Sequence, residues 1–369
     1  MKIAFISRAT LYSSPGGDTM QIDQTAAYLR KLGVKIDIIL ANQKINYSDY
    51  DLLHFFNIIR PADILGHITK SNTPFVVSTI FVDYSAYERK ARSGWKGFIG
   101  RLLTDGQLEY VKTIVRWLKN GEKILSPGYL VHGHSRSIKL IARKASFLLP
   151  NSQNEYHRFV TKYHLDPLYH IVPNGIDHMI VEQPLSRIAL YQNAVLCVGR
   201  IEGRKNQLNL IRSLNNTNYN LFIIGKPSPN NIRYYEKCKK EASANIHFLD
   251  WQTGKALYNI YQSAKVHVLP SYFETTGLSS LEAAFMGCNI VVTPYGDTRD
   301  YFKDYAWYCD PDDIKSIRQA VDAAFDAPFN QELKKHIMAN YTWEQAAKET
   351  LYAYKQVLNK NPFICNKTP

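Results

Sequence analysis

Val266-His267-Val268-Leu269-Pro270-Ser271-Tyr272-Phe273-Glu274-Thr275-Thr276-Gly277-Leu278-Ser279-Ser280-Leu281-Glu282-Ala283-Ala284 reads as three pieces. A short apolar run is stopped by Pro270, as a buried strand would be. A loop follows, with a carboxylate at Glu274 and a glycine at Gly277 that lets backbone approach closely. A helix then begins near Leu278, and it carries Glu282 eight residues after Glu274. Strand, loop and helix in that order make one βα unit, and the same rhythm extends in both directions. Strands are predicted near 194–198, 221–224, 246–249 and 290–293 around it. The first half of the chain gives further strands near 3–7, 34–40, 51–56, 75–80 and 146–150. Between the first two of these, Ile22, Ala26, Leu29 and Leu32 recur at helical spacing and Gly33 ends the helix.

Two such series predict an α/β protein of two Rossmann-like domains, 1–180 and 190–342. The connection falls in 178–192, which has no clear period and holds Pro184. The two halves share an architecture and not a repeated sequence. A length of 369 residues with 45% apolar content suits two cores better than one. Ligands of open parallel sheets bind outside the carboxyl ends of the strands. Two sheets in tandem therefore point to a cleft between the domains as the place for chemistry.

Mean hydropathy is −0.28, and no uncharged apolar run reaches the roughly 20 residues that a bilayer requires. The start, MKIAFIS, enters a strand pattern with no export signal, so a cytoplasmic location is expected. Five scattered cysteines without CxxC spacing fit a reducing compartment, and Cys197, Cys288 and Cys309 sit in or beside apolar segments. The net charge of +13 is uneven. Residues 85–145 hold 13 Lys and Arg against 4 Asp and Glu, a local net of +9. Such a concentration implies a polyanionic partner.

A second stretch completes the candidate site. In Val198-Gly199-Arg200-Ile201-Glu202-Gly203-Arg204-Lys205-Asn206, a strand ends at Gly199, a loop carries Arg200 and Lys205, and a helix starts. Two cations beside a helix N-terminus make a diphosphate site. Carboxylates such as Glu274 and Glu282 suit polyols, because each accepts hydroxyl hydrogen bonds. The plain alternatives are a solvated basic loop, an exposed loop acid at Glu274, and a first-turn acid at Glu282 that pairs with the helix dipole.

GRxxxxK and ExxGLxxxE, about 70 residues apart, together resemble the signature of nucleotide-sugar glycosyltransferases of the GT-B fold, the retaining fourth family in particular. Val172-Pro173-Asn174-Gly175-Ile176-Asp177 is similar to the family's turn at the end of the first domain. Pro15-Gly16-Gly17-Asp18 resembles its glycine-rich first loop, and Pro150-Asn151-Ser152 with Glu155 its segment after the last N-domain strand. The resemblance implies that Arg200 and Lys205, next to Gly199, grip the donor diphosphate and neutralise the leaving group. It implies that Glu282 holds the ribose and Glu274 the hydroxyls of the transferred sugar. Backbone at Gly277 and Leu278 would approach sugar or phosphate, and Gly16 and Gly17 would close from the other domain. It also implies that a helix over 343–358 returns to the N-domain ahead of a tail at 359–369, and that a hexose-type sugar passes with retention to a saccharide acceptor. The acceptor would be lipid-linked and the setting lipopolysaccharide, O-antigen or capsule assembly. No metal and no cofactor beyond the nucleotide-sugar donor are expected.

The chain departs from that pattern in three places. Asn206 stands where many relatives have glycine, and Thr275-Thr276 replaces Gly-Phe. No histidine follows the fourth strand, where Asp83 is present instead. Asp83 is a candidate for acceptor binding or proton handling, or for capping the next segment. Asp310-Pro311-Asp312 matches a metal-binding DxD but reads as a helix start, with Asp310 as N-cap and Pro311 in the first position. His132-Gly133-His134 has no third ligand close in sequence. In the basic region Trp95, Phe98, Ile99, Leu102 and Leu103 recur at helical spacing, as do Leu108, Val111, Val115 and Leu118. Either a surface lying on the inner face of an anionic membrane or an ordinary helix burying one side fits that pattern. No nucleic-acid motif is present. Two other readings use the same residues: a GT-B nucleotide-sugar epimerase and a non-catalytic sugar-nucleotide or membrane-binding module.

Overall fold

The computed structural model describes residues 1–82, 106–107, 110–111, 113–115, 127–179 and 185–359. Asp83, Trp95, Phe98, Ile99, Leu102, Leu103, Leu108 and Leu118 lie outside the described residues. The chain forms two compact units, residues 1–174 with 343–369, and residues 175–342. The division thus falls ahead of the 178–192 stretch. Within that stretch Ser186 N donates to Asn259 Oδ1 at 2.9 Å and Ile188 N to Ser263 Oγ at 2.8 Å, so these residues are fastened to the second unit.

Unit 1 is built from β1 (Lys2–Ser7), α1 (Gly17–Lys31), β2 (Lys35–Leu40), β3 (Leu52–Phe56), α2 (Pro61–Ile68), β4 (Phe75–Ser78), α3 (Pro127–Lys144), β5 (Phe147–Leu149) and α4 (Gln153–Tyr163). Its sheet is parallel in the order β2-β1-β3-β4-β5. Gly33 closes α1 with φ +83°, in the left-handed region that glycine enters without strain. α4 is capped at Ser152, whose side chain accepts from Glu155 N. The Glu155 carboxylate is itself fully buried and accepts from Phe81 N at 2.6 Å, Asn151 N at 2.8 Å and the Thr79 hydroxyl. It therefore fixes the chain just beyond β4.

Unit 2 runs through β6 (Val195–Val198), α5 (Gln207–Leu214), β7 (Leu221–Ile224), α6 (Ile232–Glu241), β8 (Ile246–Leu249), α7 (Gly254–Ser263), β9 (Val266–Leu269), α8 (Leu278–Met286), β10 (Asn289–Val292), α9 (Thr298–Phe302), β11 (Trp307–Tyr308), α10 (Ile314–Asp326) and α11 (Gln331–Asn340). Its sheet is also parallel, in the order β11-β10-β9-β6-β7-β8. Nearly every residue of β6, β7, β9 and β10 is buried, as helices on both faces require. Chain entry and exit lie side by side, with Ile176 N donating to Tyr341 O at 2.8 Å.

The last helix, α12 (Trp343–Leu358), belongs to unit 1 and packs on α1. Tyr354 from α12 bonds His54 Nδ1 of β3 at 2.6 Å, and Ser78 of β4 bonds His54 Nε2 at 2.8 Å. Burial pushes the His54 ring down to about 3, so it stays neutral. The four described cysteines, Cys197, Cys238, Cys288 and Cys309, are all free and buried.

One expectation changes. Asp310 caps no helix: α10 starts at Ile314, and Asp313 is its N-cap, accepting from Lys315 N at 2.9 Å. Asp310 instead closes a turn, accepting from Asp312 N on its side chain and from Asp313 N on its carbonyl. Of the two candidate histidines, His132 is exposed, whereas His134 is buried with its Nδ1 against Tyr129 Oη at 3.3 Å. α3 is kinked between them at Gly133, φ +69°.

Candidate functional site

The strand order of unit 2 reverses at one place. β6 leads outward through β7 and β8, and its other neighbour, β9, leads through β10 and β11. Val195 and Leu196 of β6 pair directly with Val266 and His267 of β9. Loops leaving the carboxyl ends of two such strands diverge and open a crevice. The two stretches singled out in the sequence are these loops, Gly199–Asn206 after β6 and Pro270–Gly277 after β9.

The loops are cross-tied. Tyr272 N donates to Arg204 O at 2.9 Å, and Asn206 Nδ2 donates to Pro270 O at 3.1 Å and to Pro311 O at 2.7 Å. Asn206 has φ +61°, a left-handed conformation that asparagine tolerates best after glycine. That accounts for Asn206 standing where relatives have glycine. The loop after β6 forms a single 3₁₀ turn at Gly203–Lys205, which brings Lys205 forward. Its ammonium forms an ion pair with the Glu274 carboxylate, joining positions 69 apart in sequence.

Glu274 is only 6% exposed, which overturns the exposed-acid alternative. The cause lies on β10's loop. Glu274 N donates to Tyr295 O at 3.1 Å and Asp297 N donates to Glu274 O at 2.9 Å, an isolated parallel bridge with Gly296. At Gly296 a Cβ would stand 1.8 Å from Glu274 O, so only glycine permits the pairing. A second forced glycine is Gly225, where a Cβ would stand 2.0 Å from Gly199 O. It lets the end of β7 lie against the start of the Arg200 loop. Arg200 is half-buried, and its carbonyl accepts from Gln207 Nε2 at 2.8 Å.

Gly277 has φ +68° and precedes α8, with Leu278 the first helical residue. Glu282 sits one turn further on. It is partly exposed, yet burial pushes its carboxyl up to about 7, and a hydrogen bond from Tyr258 of α7 offsets part of that rise. Tyr258 also lies within electrostatic reach of Asp177. Tyr258 escaped the sequence reading because a tyrosine between Leu257 and Ile260 on a helix reads as core. Below the crevice, His267 on β9 is fully buried and held neutral, its ring pushed down to about 3 by burial and by Lys205. Its Nδ1 faces Ser280 Oγ at 3.3 Å. His267 Nε2, Gln207 Oε1 and Ser271 Oγ are buried without a hydrogen-bond partner among the described residues.

Gly199, Arg200, Lys205, Glu274, Gly277, Leu278 and Glu282 thus all lie on the β6 and β9 loops or the start of α8. Gly16 and Gly17 belong to unit 1, at the N-terminus of α1, where Gly16 N donates to Thr19 Oγ1 at 3.0 Å. Among the described residues no group of three His, Cys, Asp or Glu side chains is arranged to hold a metal. The arrangement offers two cations for a polyanion and two carboxylates for hydroxyl groups, one of them ionising near neutrality.

Residues 184–343 match the family described as glycosyl transferases group 1. An uncharacterized glycosyltransferase of Methanocaldococcus jannaschii is 31% identical over 179 residues, 44% of this chain and 45% of that protein, so the match spans under half of its length. Sucrose-phosphate synthase from Thermosynechococcus elongatus superposes with a TM-score of 0.75 at 15% identity, covering 98% of this chain and 100% of the other. The Anabaena protein HepE, solved with UDP and glucose, gives 0.61 at 13% identity over 98% and 99%. WaaG, a glycosyltransferase involved in lipopolysaccharide biosynthesis, gives 0.58 at 18% identity over 99% and 100%. At these identities the solved structures establish the GT-B fold.

Proposed function

We propose that this chain, which belongs to the glycosyl transferases group 1 family through residues 184–343, moves a sugar from a nucleotide-sugar donor to a saccharide acceptor. The observation that carries the reading is the Lys205–Glu274 pair at the switch point of unit 2. The pair sets an ammonium beside a carboxylate, a combination that suits a diphosphate next to sugar hydroxyls. One ammonium hydrogen goes to Glu274, which leaves two for phosphate oxygens.

In the proposed reaction the bond from the anomeric carbon to the diphosphate breaks, and an acceptor hydroxyl takes its place. Charge grows on the departing nucleoside diphosphate while the sugar becomes oxocarbenium-like. Arg200 and Lys205 neutralise the first, and no metal is needed for that role. Glu274 orients the sugar and favours the cationic ring. Glu282 accepts from ribose hydroxyls. The anomeric configuration is retained, as the resemblance to the fourth family implies. The site meets substrate with these groups already fixed by Gly225 and Gly296, so little reorganisation is required.

Unit 1 is taken as the acceptor-binding part. A lipid-linked acceptor in lipopolysaccharide or capsule assembly, met at the inner face of a membrane, fits the net of +9 over 85–145. Val111, Val115, Leu130 and Val131, within that stretch, are exposed aliphatic side chains. Likeness to a lipopolysaccharide glycosyltransferase supports the same setting. No helix among the described residues is long and apolar enough to cross a membrane.

Thermal denaturation with UDP-, GDP-, ADP- and dTDP-sugars in metal-free buffer tests the donor site. Stabilisation by one nucleotide class is expected, and its loss in Arg200→Ala/Lys205→Ala. Glu274→Gln should keep nucleoside diphosphate binding and lower turnover by at least ~100-fold, the scale of one removed transition-state contact. Full turnover in Glu274→Gln would overturn the assignment.

A further inference from the structure

The opposite end of the unit 2 sheet holds a cavity of about 570 Å³ that the proposed reaction does not use. Ala264 and Lys265 lie ahead of β9, Met286 and Gly287 ahead of β10, and Gln192 and Asn193 ahead of β6. It therefore opens at the amino ends of the strands whose carboxyl ends carry the donor loops.

Three cations line it, Arg187, Lys265 and Lys334, and no carboxylate does among the described residues. None of the three has an ion pair among the described residues. Lys265 and Lys334 are half-buried, their ammonium groups 6.0 Å from the Phe325 ring and 5.1 Å from the Phe285 ring. Two helices, α7 and α8, end at the cavity, and each C-terminus contributes about half a negative charge. About one negative charge faces three positive ones, so the cavity stays electropositive. The Gln262 carboxamide oxygen, on its wall, is buried and has no hydrogen-bond partner among the described residues. It calls for a donor such as a hydroxyl. The volume lies within the range of small-molecule sites, roughly 300–1,000 Å³.

We propose that this cavity binds a phosphate ester that also carries hydroxyl groups. The cations take the phosphate, and Gln262 with Asn193 and Gln192 takes the hydroxyls. The ligand is either a free sugar phosphate or the polyol-phosphate headgroup of a lipid. Binding here rests on the cavity's own charges and is independent of the donor reading.

The test compares wild type with Lys265→Gln/Lys334→Gln, which removes both charges and leaves a shorter polar side chain at each position. Glucose 6-phosphate is titrated by thermal shift, and vesicles of phosphatidylglycerol in phosphatidylcholine by sedimentation. A saturable response to glucose 6-phosphate, at least tenfold weaker in the variant and unchanged in Arg200→Ala/Lys205→Ala, supports a free sugar phosphate. Binding to the vesicles alone, lost in the variant, supports the lipid headgroup. If the double variant does not fold, Arg187→Gln at the exposed rim should weaken the same response several-fold. Absence of both responses in wild type, or an unaltered response in the variants, overturns the site.

Discussion

Burial pushes the Glu282 carboxyl up to about 7, and the group proposed to satisfy it is a pair of ribose hydroxyls: a carboxylate accepts from both, whereas a carboxylic acid keeps one O–H that must itself donate, so it holds them more weakly. Donor binding and loss of that proton are therefore linked. Below neutrality each pH unit should weaken the nucleoside diphosphate by up to ~10-fold, and above pH 8 the affinity should level off. Titration calorimetry at pH 6, 7 and 8 reads this directly. Glu282→Gln should bind more weakly at pH 8 and with no slope. An unchanged slope in that variant would place the titrating group elsewhere. Tyr258 sets how far the carboxyl rises, since its hydrogen bond pulls in the opposite direction to burial.

At the scale of loops and helices, the site depends on pairings that a sequence does not display. Arg200, Lys205, Glu274 and Glu282 were legible because their spacing matches a two-part signature, and the strands because buried parallel strands are short apolar runs. The burial of Glu274 was not legible, since it comes from a bridge to Gly296, 22 residues later on another strand's loop. The start of α10 differs from the sequence expectation because Asp310 and Asp313 have the same capping chemistry, and only the turn between them decides which one caps. The two-residue β11 is too short to show a period. Gly296→Ala tests the pairing. Its Cβ would collide with backbone at 1.8 Å, so the Pro270–Gly277 loop must move and Glu274 must leave Lys205. The expected result is a fall of roughly 3 kcal/mol or more in stability, with loss of donor stabilisation. Gly287→Ala is the control: it ends α8 at φ +106° with nothing within 4 Å of the new carbon. Strain of about 1 kcal/mol and intact donor binding are expected there. Equal loss of donor binding in both would show that general destabilisation, and not the Glu274 contact, is being measured.

Over the whole molecule, the two units carry different balances of buried titrating groups. In unit 1, burial lowers both His54, to about 3, and His67. Each is neutral in the fold and protonated when unfolded between its lowered value and about 6.5, so each contributes stability above pH 6.5 that is lost as the pH falls. In unit 2, His267, lowered to about 3, and His336, also lowered, act in the same direction. Glu282 opposes them. Its raised value contributes stability below about pH 4.5 that is lost as the pH rises through 7. Between pH 4.5 and 6.5 the proton retained by Glu282 cancels one histidine, and unit 1 has no such offset among its described shifted groups. Each uncompensated proton corresponds to about 1.4 kcal/mol per pH unit. Hydrogen exchange corrected for intrinsic rates, compared at pH 7 and 5.5, should show unit 1 losing protection further than unit 2. In Glu282→Gln the offset disappears, so unit 2 should become as acid-labile as unit 1. Equal losses in the wild type, or an unchanged ranking in the variant, would mean that surface carboxylates and not these buried groups govern the response to acid.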